Sequence, residues 1–70
     1  MNEKMKQLVA NAGYRSAQQL KAKLNSLGLR YGNRAIYNYM RRPGDIPISD
    51  VDRWLVALDC EFETLKKVTN

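Results

Sequence analysis

Apolar residues in this chain recur at helical spacing in short segments, and glycine or proline closes most of these segments. Met5, Leu8, Val9 and Ala12 follow the i, i+3, i+4, i+7 spacing of a helix with one buried stripe, and Gly13 follows where helices commonly stop. No segment alternates at period two for long enough to indicate a strand. The pattern predicts an all-α fold, a compact bundle of about five short helices in one domain spanning residues 1–70.

The helices are predicted at about residues 2–12, 16–27, 33–41, 50–58 and 61–68. The segment Ser16-Ala-Gln-Gln19 has the pattern of a capping box, in which the serine oxygen and the glutamine side chain bond the first free amides of the second helix. Gly28 provides its stop. The apolar stripe of this helix consists of Ala17, Leu20, Leu24 and Leu27.

The later helix ends follow from capping residues and prolines. Asn33 is the predicted cap of the third helix, which the Arg42-Pro43 pair should end, and residues 43–47 should form a turn. Ser49 is the predicted cap of the fourth helix, and Trp54 is its expected buried anchor. The inward residues of the last two helices are predicted to be Val51, Trp54, Leu55, Leu58, Phe62, Leu65 and Val68.

Charge is distributed unevenly along the chain. Residues 1–42 carry nine Lys and Arg against the single acid Glu3, whereas residues 43–70 carry three bases and six acids, which gives formal charges of +8 and −3. Such polarity attracts polyanions to one side of a molecule and repels them from the other. Composition alone leaves an anionic membrane surface or an acidic protein as alternative partners.

Length and cysteine content narrow the class of protein. A domain of 70 residues has a core that supplies only about 3–5 kcal/mol of net stability, so dimerisation would help it. Cys60 is the only cysteine and histidine is absent, which excludes an internal disulfide and a Cys/His metal cluster. The sequence shows no membrane span or signal-peptide core, so we expect a cytoplasmic protein.

The third predicted helix separates polar from apolar residues. It turns Arg34, Tyr37, Asn38 and Arg41 to one side, and Ile36, Tyr39 and Met40 to the other. Long donors and an amide on one side can bond phosphates and base edges while the apolar side holds the helix on a small body. The same pattern is also compatible with an ordinary solvated surface.

These segments resemble the Cro and phage-repressor (Xre) class of helix-turn-helix proteins. The resemblance rests on Ser16-Ala-Gln-Gln-Leu20, on Ala35-Ile-Tyr-Asn-Tyr-Met40 with the proline turn after it, and on the closing helices through Leu65. It implies that the second and third helices form the motif, with the third in the major groove of double-stranded DNA.

Carried over by position, the resemblance assigns site residues. Asn33, Arg34, Tyr37 and Asn38 would face base edges or the groove wall. Arg34 would pair with guanine and Asn38 with adenine, each worth about 1–3 kcal/mol of discrimination. Phosphate contacts are expected from Gln18, Gln19, Arg30, Arg41 and Arg42.

The chain departs from the family pattern between Leu24 and Ile36, which is about five residues longer than the family's tight turn. Either the second helix or the loop is extended, so the register of the base readers can differ by a residue or more. Lys21 also replaces the small residue that the family has after its helix-two leucine.

These features together predict a sequence-specific transcriptional regulator of repressor type, bacterial or phage in character, that binds double-stranded DNA as a homodimer. We expect no catalytic residues, no cofactor and no metal site, because the acids at helix starts serve capping and no nucleophile motif accompanies them. Two alternatives stay open: a protein-interaction module or inhibitor that docks on a host protein, and a non-specific nucleic-acid or RNA binder.

Overall fold

Five α-helices and a short 3₁₀ turn follow one another along the chain in a computed structural model, which describes residues 2–69. Within that range there is no strand, and the predicted all-α class is confirmed. The terminal residues Met1 and Asn70 of the predicted domain lie outside the described residues. The helices are α1 (Glu3–Asn11), α2 (Ala17–Ser26), α3 (Asn33–Arg41), α4 (Ile48–Leu58) and α5 (Phe62–Val68), with the 3₁₀ turn at Pro43–Asp45.

The start of α2 follows the predicted capping pattern in part. The Ser16 hydroxyl oxygen accepts a hydrogen bond from the Gln19 amide at 3.2 Å, as a capping serine should. The Gln19 side chain, however, accepts from the Arg15 amide at 2.7 Å, one residue before the amide that a capping box would use. Gly28 ends this region with φ +105°, a conformation that side-chain-bearing residues rarely adopt.

Two predicted caps are wrong, each because the helix starts earlier than the polar residue. The first turn of α3 begins at Gly32, whose carbonyl accepts from the Ile36 amide at 3.2 Å, so Asn33 is already inside the helix. In α4 the carbonyl of Pro47 accepts from the Asp50 amide at 2.9 Å, which places Ser49 in the first turn. Asn33 and Ser49 therefore have other partners than the helix amides.

The core lies where the helices meet. The largest fully buried side chains are Met5, Leu20, Leu24, Ile36 and Trp54, so every helix from α1 to α4 contributes at least one. Leu65 and Val68 complete the core from α5. Phe62 was predicted to point inward and is 53% exposed, because it occupies the first position of α5 while Leu65 and Val68 make the contact of this short helix with the core.

An aromatic cluster fixes the connection between α2 and α3. Tyr31 packs against Tyr39 and Trp54 with ring centroids 5.2 and 6.1 Å apart. Its hydroxyl donates to the Asp50 carboxylate at 2.7 Å and accepts from the Trp54 indole N–H at 3.1 Å. Tyr31 thereby attaches residues 27–32 to α4.

Burial raises the pKa of Tyr31, and the Asp50 carboxylate raises it further. The neutral hydroxyl is therefore the form that the folded chain favours. Two more bonds connect distant elements: the Tyr14 hydroxyl donates to the Ala57 carbonyl at 2.6 Å, and the Asn2 amide donates to the Val68 carbonyl at 3.1 Å.

None of the helices within residues 2–69 combines the length and the apolar composition that crossing a lipid bilayer requires.

Candidate nucleic-acid interface

The two sides of α3 differ as the sequence predicted. Ile36 and Met40 are buried, whereas Arg34, Asn38 and Arg41 are exposed and Tyr37 is 45% exposed. The apolar side packs on α1 and α2, so the polar side faces solvent along the length of the helix. All four of the predicted base readers, Asn33, Arg34, Tyr37 and Asn38, are exposed.

The connection before α3 places this helix beside α2. The two helices pack against each other, and residues 27–32 join them. The Asn25 side chain closes this connection, since its amide donates to the Tyr31 carbonyl and its oxygen accepts from the Tyr31 amide. The connection that is longer than the family's tight turn is therefore a defined loop, and not a disordered insertion.

Asn33 is connected to α2 through a lysine. The Lys21 ammonium donates to the Asn33 side-chain oxygen at 2.7 Å. Such a charge-assisted bond is short and favourable, and it fixes the amide at the start of α3. The sequence did not reveal this pairing, because twelve residues separate the two side chains and only the packing of α2 on α3 brings them together.

Asn38 is held in a similar way within α3 itself. The Arg41 guanidinium donates to the Asn38 side-chain oxygen at 2.9 Å, across three residues of the same helix face. Arg41 was predicted to contact phosphate, and its spacing from Asn38 was the signal that the two side chains could meet. Asn38 as a whole is exposed.

A weaker contact joins the start of α2 to the middle of α3. The Gln18 amide donates to the Tyr37 hydroxyl at 3.4 Å, a long hydrogen bond on the exposed surface. Gln18 and Tyr37, which were assigned to phosphate and base, thus lie next to each other. The start of α2 and the polar side of α3 form one continuous surface.

An open groove of about 600 Å³ runs beside α3 and brings most of the predicted arginines together. Two predicted base readers, Arg34 and Asn38, line it together with two predicted phosphate contacts, Arg41 and Arg42. Asp45, from the 3₁₀ turn, is the one acid among the lining residues, and sequence reasoning had not placed it there. The full lining is Gly32, Arg34, Ala35, Asn38, Tyr39, Arg41, Arg42 and Asp45.

The remaining predicted contacts lie elsewhere on the exposed surface. Gln19 bonds the Arg15 amide beside the start of α2, and Arg30 lies in the loop before α3; neither lines this groove. A second groove, of about 220 Å³, separates Tyr37 from α1 and is lined by Lys6 and Arg15. The sequence did not indicate these two basic residues as part of the interface, because only the fold brings them to the same side as Tyr37.

Cys60 lies apart from this surface, in a shallow groove with Leu55 and Val56. Burial raises the pKa of its thiol, and the nearby Asp59 raises it further. The thiol is thereby kept neutral, whereas an activated nucleophile needs a lowered pKa.

Comparison of the chain with protein-family models, with curated proteins and with solved structures found no match. The resemblance to the Cro and phage-repressor class therefore stays a prediction from the residues quoted above.

In chemical terms, the surface formed by α3 and the start of α2 offers hydrogen-bond donors and positive charge. Guanidinium and amide groups bond phosphates and base edges in this way, and the helix that carries them is held by its buried side. The structure places them on a regular element and not on a flexible tail.

Proposed function

We propose that this protein is a sequence-specific DNA-binding transcriptional regulator, of repressor type and bacterial or phage character, that inserts α3 into the major groove of duplex DNA. The observation that carries the proposal is the two-sided structure of α3. Arg34, Tyr37, Asn38 and Arg41 are exposed together, while Ile36 and Met40 anchor the helix from behind.

The dimensions of α3 suit this role. An α-helix with its side chains is about 10–12 Å across, and the major groove is about 12 Å wide. The nine residues of α3 form a rod with no acidic residue in it, so nothing on the helix itself repels phosphate. The start of α2 then lies near the sugar-phosphate backbone, where Gln18 and Gln19 can donate to phosphate oxygens.

We assign base contacts to Arg34 and Asn38, which both line the groove beside α3. Arg42 lines the same groove and Arg30 precedes the helix, so both are placed to neutralise phosphates. Asn33 and Tyr37 both lie on the α2 side of this pair, where they would face base edges or the groove wall. Phosphate contacts position the protein, and base contacts give it sequence preference.

The charge distribution supports the same orientation. The segment that contains α1 to α3 is strongly positive, and the segment that contains α4 and α5 is negative. Association with DNA is then steered so that the basic part approaches first, with a rate that falls as salt is added.

A second copy of the chain completes the binding unit in this proposal. Three large apolar side chains lie outside the core: Ile48, Val56 and Phe62 are 91, 63 and 53% exposed, and none lines the groove beside α3. The body measures 25 × 24 × 20 Å, so two copies side by side can present α3 to half-sites about 34–36 Å apart.

The test begins with selection of bound duplexes from a random DNA pool. We expect a recovered palindrome, saturable binding to it, and an affinity that falls steeply between 50 and 200 mM salt, as counterion release requires. Failure to obtain any saturable complex, or binding that salt does not weaken, would overturn the proposal.

Point variants then locate the binding surface. Arg34→Ala should weaken binding and relax base preference at one position of the duplex. Lys67→Ala removes the same charge from an exposed position of α5, and it should change affinity only by a small electrostatic effect and leave base preference unchanged. If Arg34→Ala behaves like Lys67→Ala on the selected duplex, α3 does not read DNA.

A further inference from the structure

We infer that α3 presents hydrogen-bond donors almost exclusively to the DNA, and that its half-site is therefore read through guanine. This inference rests on the proposed function, since it names the bases that the same surface would select. It depends on three hydrogen bonds within the protein, each of which places a donor on the acceptor atom of a reading side chain.

Each acceptor atom of the reading side chains already receives one hydrogen bond from within the protein. The Asn33 side-chain oxygen accepts from Lys21 at 2.7 Å, and the Asn38 side-chain oxygen accepts from Arg41 at 2.9 Å. The Tyr37 hydroxyl oxygen accepts from Gln18 at 3.4 Å. Arg34, the remaining reader, has no acceptor atom at all. What the four side chains offer most freely is therefore N–H and O–H hydrogen.

A free asparagine reads adenine, because its oxygen accepts from the adenine N6 amine while its nitrogen donates to N7. The Asn38 oxygen retains a second lone pair, but the Arg41 guanidinium beside it brings hydrogen and positive charge to the place where an incoming amine would approach. Lys21 has the same effect beside Asn33. The adenine contact that the sequence predicted for Asn38 is thus disfavoured, and the same argument disfavours an adenine contact by Asn33.

Guanine is the base that suits such a surface. Its major-groove edge carries two acceptors, N7 and O6, whereas adenine adds an amine donor and thymine combines one acceptor with a methyl group. Asp45 fits the same base pair, since it lines the groove with Asn38 and a carboxylate can accept from the N4 amine of the cytosine paired with guanine.

In this arrangement Lys21 and Arg41 are positioning residues, because they act through the two asparagines. Lys21 gives the cleaner test, since Arg41 is also placed to contact phosphate. Lys21→Met frees the Asn33 oxygen and should move the preference at one base pair from guanine toward adenine. Lys23→Met removes the same charge from an exposed position of α2 and should weaken binding without changing base preference.

The decisive experiment uses the unmodified protein on the duplex recovered by selection. Each guanine is replaced in turn by 7-deazaguanine, which lacks the N7 acceptor, or by inosine, which keeps N7 and O6 and lacks only the minor-groove amine. Affinity should fall by about tenfold for 7-deazaguanine at one or two positions per half-site and stay unchanged for inosine at the same positions.

The outcomes separate this inference from the proposed function. A selected duplex that binds saturably but whose contacted base pairs are A·T, or that tolerates 7-deazaguanine everywhere, overturns the guanine inference and leaves DNA binding in place. An adenine shift with Lys23→Met as large as with Lys21→Met also overturns it. If no duplex binds saturably, both the proposed function and this inference fall.

Discussion

Replacing Tyr31 by phenylalanine tests how the connection before α3 is held. The hydroxyl accepts from the Trp54 indole N–H at 3.1 Å and donates to Asp50 at 2.7 Å. Trp54 is 0% exposed, so water cannot replace the lost partner of its N–H, whereas the half-buried Asp50 can return to solvent. The expected cost is therefore that of one unsatisfied buried donor, about 1–3 kcal/mol.

That loss is large for a chain of this size. For a 60–100-residue domain, 1 kcal/mol shifts the thermal midpoint by about 4–8 °C, so Tyr31→Phe should lower it by roughly 4–24 °C. Thermal unfolding followed by circular dichroism measures the shift. Tyr37→Phe is the matched control, because its hydroxyl lies on the exposed surface and surface changes usually stay within about 0.5 kcal/mol.

The reasoning is refuted if Tyr31→Phe melts within a degree or two of the unmodified protein while Tyr37→Phe does the same. The Trp54 N–H would then have to be satisfied in another way, and the loop before α3 would not depend on this bond.

Three further predictions concern pH, backbone and association. The pKa of Tyr31 is raised above its ordinary value of 10.0, so the folded state holds this proton more tightly than the unfolded state does. The contribution of the Tyr31 hydroxyl to stability should therefore be complete below pH 10 and decline as pH rises above it. Urea unfolding at pH 9 to 11 should show this decline, and the decline should be weaker in Tyr31→Phe. Gly28→Ala should destabilise the fold by about 1–2 kcal/mol, because φ at Gly28 is +105° although the space around it is open. Gly32→Ala, at φ −88°, should be nearly neutral, and equal urea midpoints for the two variants would contradict this prediction. Val56→Asp should shift the proposed homodimer toward monomer in sedimentation equilibrium with no loss of helicity. An unchanged association constant would remove Val56 from the proposed dimer surface.

Local patterns predicted most of this fold because they describe interactions between near neighbours. The apolar spacing of Met5 and Val9, and of Leu20 and Leu24, identified buried stripes that the structure confirms. Gly13 and Gly28 identified helix ends, and both adopt positive φ. The predicted range of α3, residues 33–41, matches the observed helix, although the residue that caps it is Gly32 and not Asn33.

The features that the sequence did not predict depend on long-range contacts or on competition between neighbouring residues. Tyr31 reaches Asp50 and Trp54 across 19 and 23 residues, so nothing in its own segment shows that it is a structural residue. Asn33 had the right chemistry for a cap, but the Gly32 carbonyl begins the helix one residue earlier.

The sequence predicted which residues form the candidate interface, and it did not predict the hydrogen bonds between them. Helical periodicity was sufficient to bring Arg34, Asn38 and Arg41 to one exposed side. The pairing of Lys21 with Asn33 requires the packing of α2 on α3, which periodicity does not describe. In our inference, the bond from Arg41 to Asn38 is what changes the base expected at Asn38 from adenine to guanine.

Amide chemical shifts of the ¹⁵N-labelled protein, recorded while the selected duplex is added, show directly which surface meets DNA. We predict that the largest changes fall on residues 33–41 and on the start of α2 at residues 16–19, while Lys67 and its neighbours in α5 change little. Changes concentrated on α4 and α5, with α3 unaffected, would contradict the placement of α3 in the major groove.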